Sequence, residues 1–489
     1  MDEKRIKKNL LMFPLGTVGR DMVYQLFTSY LLTYIMFTRQ LDAKMLAAIT
    51  AIMVGARVFD ALNDPIMGNI IDRTRTKWGK FKPWLVIGIV TTSIVVYAMF
   101  NSKLTGWSFI WFFGIMYFCY SITYTMHDIA YWGMVPSLGT DSHIRDKFTS
   151  RTNLFAGIGG TLASVLIPVF TVGATAIGGN TAYAYGRVAL VIVIIAPLFL
   201  CFTIFGVRED RSYEKEPVPS VGLKKIIDVI KNNRQLVWIS VIFLLQQVGQ
   251  NICLNGLGQM YVYFEYGYAG GFWGLFTMLG MIPTAFLMIF YPAIAAKTSR
   301  KDFMKKMLYV SGAGYLLMFL TGAFVPSGSI KFYVFTVGYM AANFGFYAYY
   351  LIMMISILNT VEYNEYLHGE RNDAIIASVR PFITKLASAI CVAIVNLSYM
   401  ILGVMNYTNK ISAFESEANL GIITEQAKLS SIGAVLTQVQ SFQKIGMLLF
   451  ITLIPFIFMY ASYKLYRSHY TLDEDEFKRI CDDIDRRKA

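Results

Sequence analysis

Charged residues are scarce in this 489-residue chain, at 15% of the sequence, whereas apolar residues make up 55%. That balance is too apolar for a soluble protein of this length. Apolar runs of about 18 residues or more recur along the chain, and each is long enough to cross the hydrocarbon core of a bilayer. We therefore predict an all-α membrane protein with many spanning helices.

Cysteine and histidine are also rare, with five and four residues respectively. The cysteines fall in the apolar runs or near the end of the chain, so no disulfide framework is expected. The sequence contains no HExxH motif, no Walker-type phosphate loop and no dinucleotide-binding fingerprint. We therefore expect neither an enzyme nor a nucleotide-driven pump, and we expect no cofactor.

The formal net charge is +13, and the basic residues alternate along the chain. They cluster at the N-terminus, in 72–82, 208–234 and 297–306, and after Lys464. The loops between these clusters, such as 173–186, carry few or none. Because positive charge marks the cytoplasmic side, this pattern predicts a multi-pass protein of the plasma or inner membrane with both termini in the cytoplasm. It also argues against a nucleic-acid partner.

About twelve apolar segments are predicted to span the membrane. They centre on 10–38, 45–71, 83–101, 107–135, 152–172, 187–207, 236–264, 271–296, 306–325, 331–360, 374–404 and 442–466. Basic loops follow the second and the eighth of these spans, so the two halves echo each other weakly. Paired repeats of this kind are typical of secondary transporters.

The polar stretches divide the chain into regions. Residues 1–207 and 236–467 are predicted to form two six-helix bundles, joined by a cytoplasmic linker, 208–235, whose amphipathic part lies on the membrane surface. Residues 468–489 are predicted to form a cytoplasmic tail. The outside segment 405–440 is long enough for one or two short helices, and the sequence assigns it no role.

Charged side chains share one face of the second span. Arg57, Asp60 and Asp64 are spaced i, i+3 and i+7, and Asn63 lies beside them. Each charge inside a bilayer costs about 2.5–3.5 kcal/mol, so this face requires a polar cavity and neutralisation. Arg57 can neutralise one carboxylate, and a bound Na⁺, Li⁺ or proton is the natural partner of the other. The alternative is a structural Arg–Asp cluster that clamps two helices.

Other spans carry candidate substrate residues. Thr125, Asp128 and Trp132 share one face of the fourth span, and a carboxylate one turn from a tryptophan can hold a sugar. The alternative is aromatic packing, with Asp128 salt-bridged to Arg20 or Arg151. Arg151 itself either binds substrate or marks the cytoplasmic interface. We interpret the neighbouring His127 as a polar contact rather than a proton relay.

Polar residues in the first and eleventh spans complete this set. Asp21 belongs to a polar face of the first span. Lys385 is the only charge deep in the C-terminal half, and a buried lysine requires an acidic partner, provisionally Asp60, Asp64 or Asp128. These charges suit a cation site in one bundle and a substrate held between both.

The segment RVFDALNDPIMGNIIDRTRTKWGKFKPW (57–84) resembles the hallmark of the glycoside–pentoside–hexuronide:cation symporters, a branch of the major facilitator superfamily. The likeness extends to GRD (19–21), TYTMHDIAYWGMVPS (123–137), NTVEYNEY (359–366) and SVRPFITKLASA (378–389). It implies the major facilitator fold of two pseudo-symmetric six-helix bundles. It also implies symport of a glycoside or oligosaccharide with Na⁺, H⁺ or Li⁺ by alternating access, in a single working chain.

The resemblance also assigns residues. It places four on the family's cation-site positions: Asp60, Asn63, Asp64 and Thr125. It places others on its sugar-contacting positions: Asp21, Asp128, Trp132 and Arg151. Lys385 matches the lysine that links the two sites, and Tyr350 stands where the family's best-known member has a tryptophan. That difference, together with the extra segment 405–440, leaves the sugar open. A cation-coupled carrier of lysophospholipids or other amphiphiles, and an uncoupled sugar facilitator, are the alternatives.

Overall fold

The computed structural model describes residues 3–138, 142–209, 223–295, 297–370 and 372–488. These ranges are almost entirely helical and contain no strand. The helices, in chain order, are α1 (Glu3–Gln25), α2 (Leu31–Thr38), α3 (Ala43–Arg73), α4 (Lys82–Phe100), α5 (Gly106–Gly133), α6 (Ser142–Thr171), α7 (Thr181–Gly206), α8 (Leu223–Asn232), α9 (Arg234–Ile252), α10 (Gly258–Tyr266), α11 (Gly270–Ala295), α12 (Arg300–Phe324), α13 (Ser329–His368), α14 (Asp373–Ile401), α15 (Met405–Asn419), α16 (Glu425–Thr437), α17 (Ser441–His469) and α18 (Glu474–Lys488).

Each predicted span corresponds to a helix or a pair of helices. A π-helical turn at Leu26–Tyr30 joins α1 to α2 in the first span, and one at Cys253–Leu257 joins α9 to α10 in the seventh. Within the described residues, nine helices are long and apolar enough to cross a membrane, or ten if the bent α3 is counted. The all-helical prediction is confirmed, and the twelve predicted spans agree with the helices found.

The chain separates into two compact units. The first unit comprises Met1–Ser220, Val262–Leu275 and Tyr399–Val439. In it, α1 packs against α6 and α7, and α5 packs against α3 and α4. Glycines allow the close approach of α1, because a Cβ at Gly19 would lie 2.5 Å from Ala196 Cα of α7. This packing buries Thr17 and Arg20 of α1 in the first unit.

The second unit comprises Val221–Tyr261, Phe276–Ser398 and Gln440–Ala489. In it, α12 packs against α13 and α17, and α9 packs against the same two helices. A Cβ at Gly314 would lie 2.6 Å from the carbonyl oxygen of Gly338, so these glycines bring α12 and α13 together. The tail helix α18 packs against α13.

The segment 405–440 forms two short helices, α15 and α16, and all of it up to Val439 belongs to the first unit. Its anchor is Glu415, whose side chain is 2% exposed and whose Oε1 lies 3.3 Å from Lys428 Nζ. The Glu415 carboxylate also accepts hydrogen bonds from the Thr181 amide at 2.8 Å and the Tyr268 hydroxyl at 3.1 Å. Lys428 donates to the Gly179 carbonyl oxygen at 2.6 Å. Thus one buried ion pair ties the segment to the start of α7 and to the turn before α11.

Candidate functional site

A bend in α3 separates two of its acidic residues. The portions Ala43–Asp60 and Asn63–Arg73 are inclined by 41°. Pro65 lies inside the helix, and a proline removes one amide donor and crowds the carbonyl four residues earlier. The bend therefore falls between Asp60 and Asp64, at the place where that carbonyl lies.

Two carboxylates of α3 each receive a hydrogen bond from a hydroxyl of α5. Thr125 Oγ1 donates to Asp64 Oδ1 at 3.2 Å, and the Ser121 hydroxyl donates to Asp60 Oδ1. Asp60 and Asp64 are four residues apart on α3, and Ser121 and Thr125 are four residues apart on α5. The two carboxylates, like the two hydroxyls, therefore lie one helical turn apart. Arg57 Nη1 lies 3.6 Å from Asp60 Oδ2. The neutralisation of one carboxylate by Arg57, inferred from spacing, is present.

The acidic pair, Asp60 and Asp64, is largely shielded from solvent at Asp60. The Asp60 side chain is 7% exposed and that of Arg57 11%. Within the described residues, Asn63 Nδ2 is buried and has no hydrogen-bond partner. A buried donor in that condition costs about 1–3 kcal/mol, so Asn63 Nδ2 favours a hydrogen-bond acceptor nearby, whereas only its Oδ1 could bind a cation.

The atoms around the acidic pair that could coordinate a cation are oxygens. Carboxylate, amide and hydroxyl oxygens suit hard cations, whereas transition metals prefer nitrogen and sulfur ligands. The described part of the chain contains no group of three or more His, Cys, Asp or Glu side chains that could hold a metal ion. The chemistry of Asp60, Asn63, Asp64 and Thr125 thus fits a monovalent cation such as Na⁺ or Li⁺, or a proton.

A second polar cluster surrounds Arg20 of α1. Its Nη1 lies 2.8 Å from Asp128 Oδ1, and its Nη2 lies 3.2 Å from Asp21 Oδ2. The Thr17 hydroxyl also donates to Asp21. The guanidinium stands 5.5 Å from the ring centroid of Trp132. The predicted substrate residues Asp21, Asp128 and Trp132 are therefore brought together by one arginine.

The alternative interpretation of Asp128, aromatic packing with a salt bridge to Arg20 or Arg151, predicted this ion pair with Arg20. The ion pair leaves the acid partly accessible, however, since the side chain of Asp128 is 35% exposed and that of Asp21 20%. Arg20 itself is only 3% exposed. The buried Arg20 thus contacts two carboxylates that stay partly exposed. Sequence reasoning treated Arg20 as a partner of Asp128 and missed its central position.

Aromatic side chains of α5 pack beside the residues of the two clusters. Tyr120 stacks on Phe27 with centroids 3.5 Å apart, and Tyr124 lies 5.4 Å from Tyr120 and 5.5 Å from Tyr24. His127 packs against Tyr124 at 4.6 Å and is fully buried. Among the described residues neither of its ring nitrogens has a hydrogen-bond partner, so the expected polar contact of His127 is not formed.

The remaining predicted site residues lie elsewhere on the two units. Arg151 is exposed on α6, and its Nη1 donates to the Leu10 carbonyl oxygen at 3.4 Å. In the second unit, the Tyr350 hydroxyl accepts a hydrogen bond from Arg380 Nη2 at 2.8 Å. Lys385 is half-buried on α14. Its pairing with an acidic residue of the first half stays a prediction.

The family whose description is MFS/sugar transport protein matches residues 12–456. The matched range includes all the site residues described above. It leaves out the beginning of α1, the end of α17 and α18.

Two curated relatives align over most of this chain. A lactose permease of Leuconostoc lactis is 30% identical over 399 residues, which are 78% of this chain and 60% of the relative. A raffinose carrier protein of Pediococcus pentosaceus is 31% identical over 416 residues, which are 80% of this chain and 62% of the relative. The chain thus spans about three fifths of the length of these relatives.

Solved transporter structures share the fold. The crystal structure of a D-xylose-proton symporter superposes with a TM-score of 0.61 at 12% sequence identity, covering 89% of this chain and 98% of that one. At that identity, the likeness concerns the fold alone.

Proposed function

This chain belongs to the MFS/sugar transport protein family, and on that premise we propose that it is a secondary active transporter. It carries a glycoside or oligosaccharide across the cell membrane together with a cation. Na⁺ is the first candidate for that cation, with H⁺ or Li⁺ as the others. The chain works by alternating access, as a monomer with both termini in the cytoplasm.

The observation that carries this proposal is the position of both polar clusters on α5. Ser121 and Thr125 contact the carboxylates of α3, whereas Asp128 and Trp132 lie beside Arg20 of α1. Trp132 lies seven positions after Thr125, which is about 10 Å along a helix. A cation and a sugar held at these places share one rigid element.

The charge of the acidic pair favours a bound cation. Asp60 and Asp64 bring two negative charges into a segment of low dielectric, and Arg57 offsets one of them. A monovalent cation bound here would add a further positive charge, with oxygens of Asp60, Asn63, Asp64 and Thr125 as ligands. Without it, the two carboxylates repel each other one turn apart. Cation binding therefore draws α3 and α5 together.

The Arg20 cluster fits a sugar. The carboxylates of Asp21 and Asp128 can accept hydrogen bonds from sugar hydroxyls, and the Trp132 ring can pack on the apolar C–H face. Arg151, Tyr350 and Lys385 are proposed as further substrate contacts on the strength of the motif match. Relatives named for lactose and raffinose point to galactosides, since both sugars contain a galactosyl unit.

Coupling follows from linkage between the two sites. If the cation raises the affinity for sugar by some factor, sugar raises the affinity for the cation by the same factor. Residues 121–132 of α5 supply the physical path, because ordering one end of the helix restrains the other. The transporter then moves the two ligands together rather than separately.

The test is calorimetric titration of the purified protein with galactosides, glucosides, xylosides and glucuronides, in NaCl and then in choline chloride. We expect a galactoside to bind several-fold more tightly in Na⁺, and Asp60→Asn to abolish that difference. Equal affinity in both salts would contradict Na⁺ coupling and favour a proton or an uncoupled facilitator. Failure of every sugar to bind would favour the amphiphile carrier.

A further inference from the structure

Ser121 contacts Asp60 of the acidic pair, although it belongs to none of the sequence motifs described above. Its hydroxyl is buried on α5 and donates to Asp60 Oδ1. One turn further along the same helix, Thr125 donates to Asp64. Ser121 therefore donates to Asp60 in the same way that Thr125 donates to Asp64.

This hydrogen bond differs from the usual one made by a hydroxyl in a helix. Serine and threonine side chains commonly donate to the carbonyl four residues earlier in their own helix. In the first unit, Thr50 does so to Leu46 and Thr91 does so to Ile87, both at 2.7 Å. Ser121 instead reaches across to α3. The Ser121 hydroxyl therefore hydrogen-bonds a carboxylate of α3 rather than a carbonyl oxygen of its own helix.

The chemistry of a hydroxyl suits two states of such a site. It has one proton to donate and two lone pairs with which to accept. Facing a bare carboxylate, it donates; beside a bound cation, rotation about the C–O bond turns its oxygen to the ion. Because it is neutral, it adds a ligand without changing the charge balance among Arg57, Asp60 and Asp64.

We propose that Ser121 is a cation ligand at the acidic pair and that it sets the preference for Na⁺ and Li⁺ over H⁺. This inference rests on the proposed function of that pair. An oxygen ligand stabilises a metal cation in the site, whereas a proton needs only the carboxylate itself. Loss of the hydroxyl should therefore weaken Na⁺ and Li⁺ binding and leave proton coupling intact.

The experiment titrates Na⁺ and Li⁺ alone into the purified protein and follows heat and thermal stability, with choline chloride as the reference salt. We expect Ser121→Ala to weaken Na⁺ and Li⁺ binding roughly tenfold, as for loss of one interaction with a charged group. Ser121→Thr keeps the oxygen and should stay within about threefold of the parent. Thr91→Ala removes a hydroxyl bonded within its own helix and should have no effect.

Two further variants keep the outcome decisive. Ser121→Cys has nearly the size of serine but offers sulfur, which hard cations disfavour, so it should lose affinity as the alanine variant does even if alanine fails to fold. Asp60→Asn should abolish the cation response altogether. If Asp60→Asn does so while both Ser121→Ala and Ser121→Cys bind Na⁺ within twofold of the parent, Ser121 is not a ligand. If Asp60→Asn still responds, the proposed function itself is wrong.

Discussion

At the scale of single residues, the carboxylates of α3 were the most predictable part of the site. Charges within an apolar span are costly, so the sequence alone marks Asp60 and Asp64 as exceptional. Ser121 could not be found in this way, because a single serine in a span is unremarkable in composition. The signal was its spacing of four from Thr125, which places both hydroxyls on one face.

Arg20 illustrates the opposite difficulty. It lies 108 residues from Asp128, and no local periodicity connects the two positions. Only the packing of α1 in the first unit brings its guanidinium to Asp21, Asp128 and Trp132 together. The residue was visible in the sequence, but its role depended on tertiary structure.

The Arg20 cluster leads to a prediction about sugar. Trp132→Ala should weaken binding of the galactoside identified by calorimetry by roughly tenfold or more, because the ring that packs on the sugar is removed. Asp128→Asn should weaken it at least as much through loss of charge-assisted hydrogen bonds. Na⁺ binding should persist in both variants, since the acidic pair is intact.

The same helix supplies a control for this prediction. Trp111 of α5 is 76% exposed on the surface of the described structure. Trp111→Ala removes an equal ring that lies about 30 Å from Trp132 along the helix, and it should leave sugar affinity unchanged. Unchanged affinity in both Trp132→Ala and Asp128→Asn would remove these residues from the substrate site.

At the scale of elements, the positions of the spans were predictable from hydropathy. The length of segment 405–440 likewise predicted one or two short helices, which are α15 and α16. The anchoring of those two helices was not predictable, because Glu415 and its partner Thr181 are 234 residues apart in sequence. No local pattern pairs a glutamate in one helix with the start of a distant helix. Long-range polar pairs of this kind are what a single sequence conceals.

The buried ion pair that holds α15 and α16 gives the second prediction. Glu415→Gln leaves Lys428 buried without its charge partner, and breaking such a pair costs about 3–5 kcal/mol. We expect a clearly lower apparent melting temperature in detergent. The double variant Glu415→Gln/Lys428→Met should melt above the single one, because neither charge is then left unpaired.

A control for this pair lies on the same helix. Glu417 of α15 is partly exposed, and Glu417→Gln should melt as the parent does. If Glu415→Gln also melts as the parent does, the ion pair does not anchor α15 and α16 to the first unit.

The tail helix α18 provides a prediction about pH. Burial alone would raise the pKa of Glu474, but hydrogen bonds from the Arg300 backbone and guanidinium, and the charge of Arg300, hold that pKa below its ordinary value. The pKa of Asp473 is lowered in the same way by the backbone amide of Glu476 and by Lys301.

A depressed carboxyl pKa stabilises the docked state above the ordinary pKa, and that contribution is lost as pH falls through the lowered value. Docking of the tail should therefore be complete at neutral pH and weaken below about pH 4. Hydrogen exchange of α18, corrected for intrinsic rates, measures this. Glu476→Gln, which breaks an exposed pair with Arg479, should not alter the profile. Equal protection of α18 across the range would contradict the account.

At the scale of the whole molecule, membership of the MFS/sugar transport protein family agrees with the resemblance drawn from five short motifs. Those motifs lie on α1, α3, α5, α13 and α14 and in the loop after α3. Composition established the membrane class and the absence of recognised catalytic motifs. The identity of the sugar and of the cation depends on side-chain geometry that hydropathy does not encode.

The most direct test of the central claim is uptake of a radiolabelled galactoside into proteoliposomes with an inward Na⁺ gradient. Sugar should accumulate above equilibrium, accumulation should collapse when the gradient is dissipated, and Asp60→Asn should retain no concentrative uptake. Concentrative uptake by Asp60→Asn equal to that of the parent would contradict the assignment of the acidic pair as the coupling site.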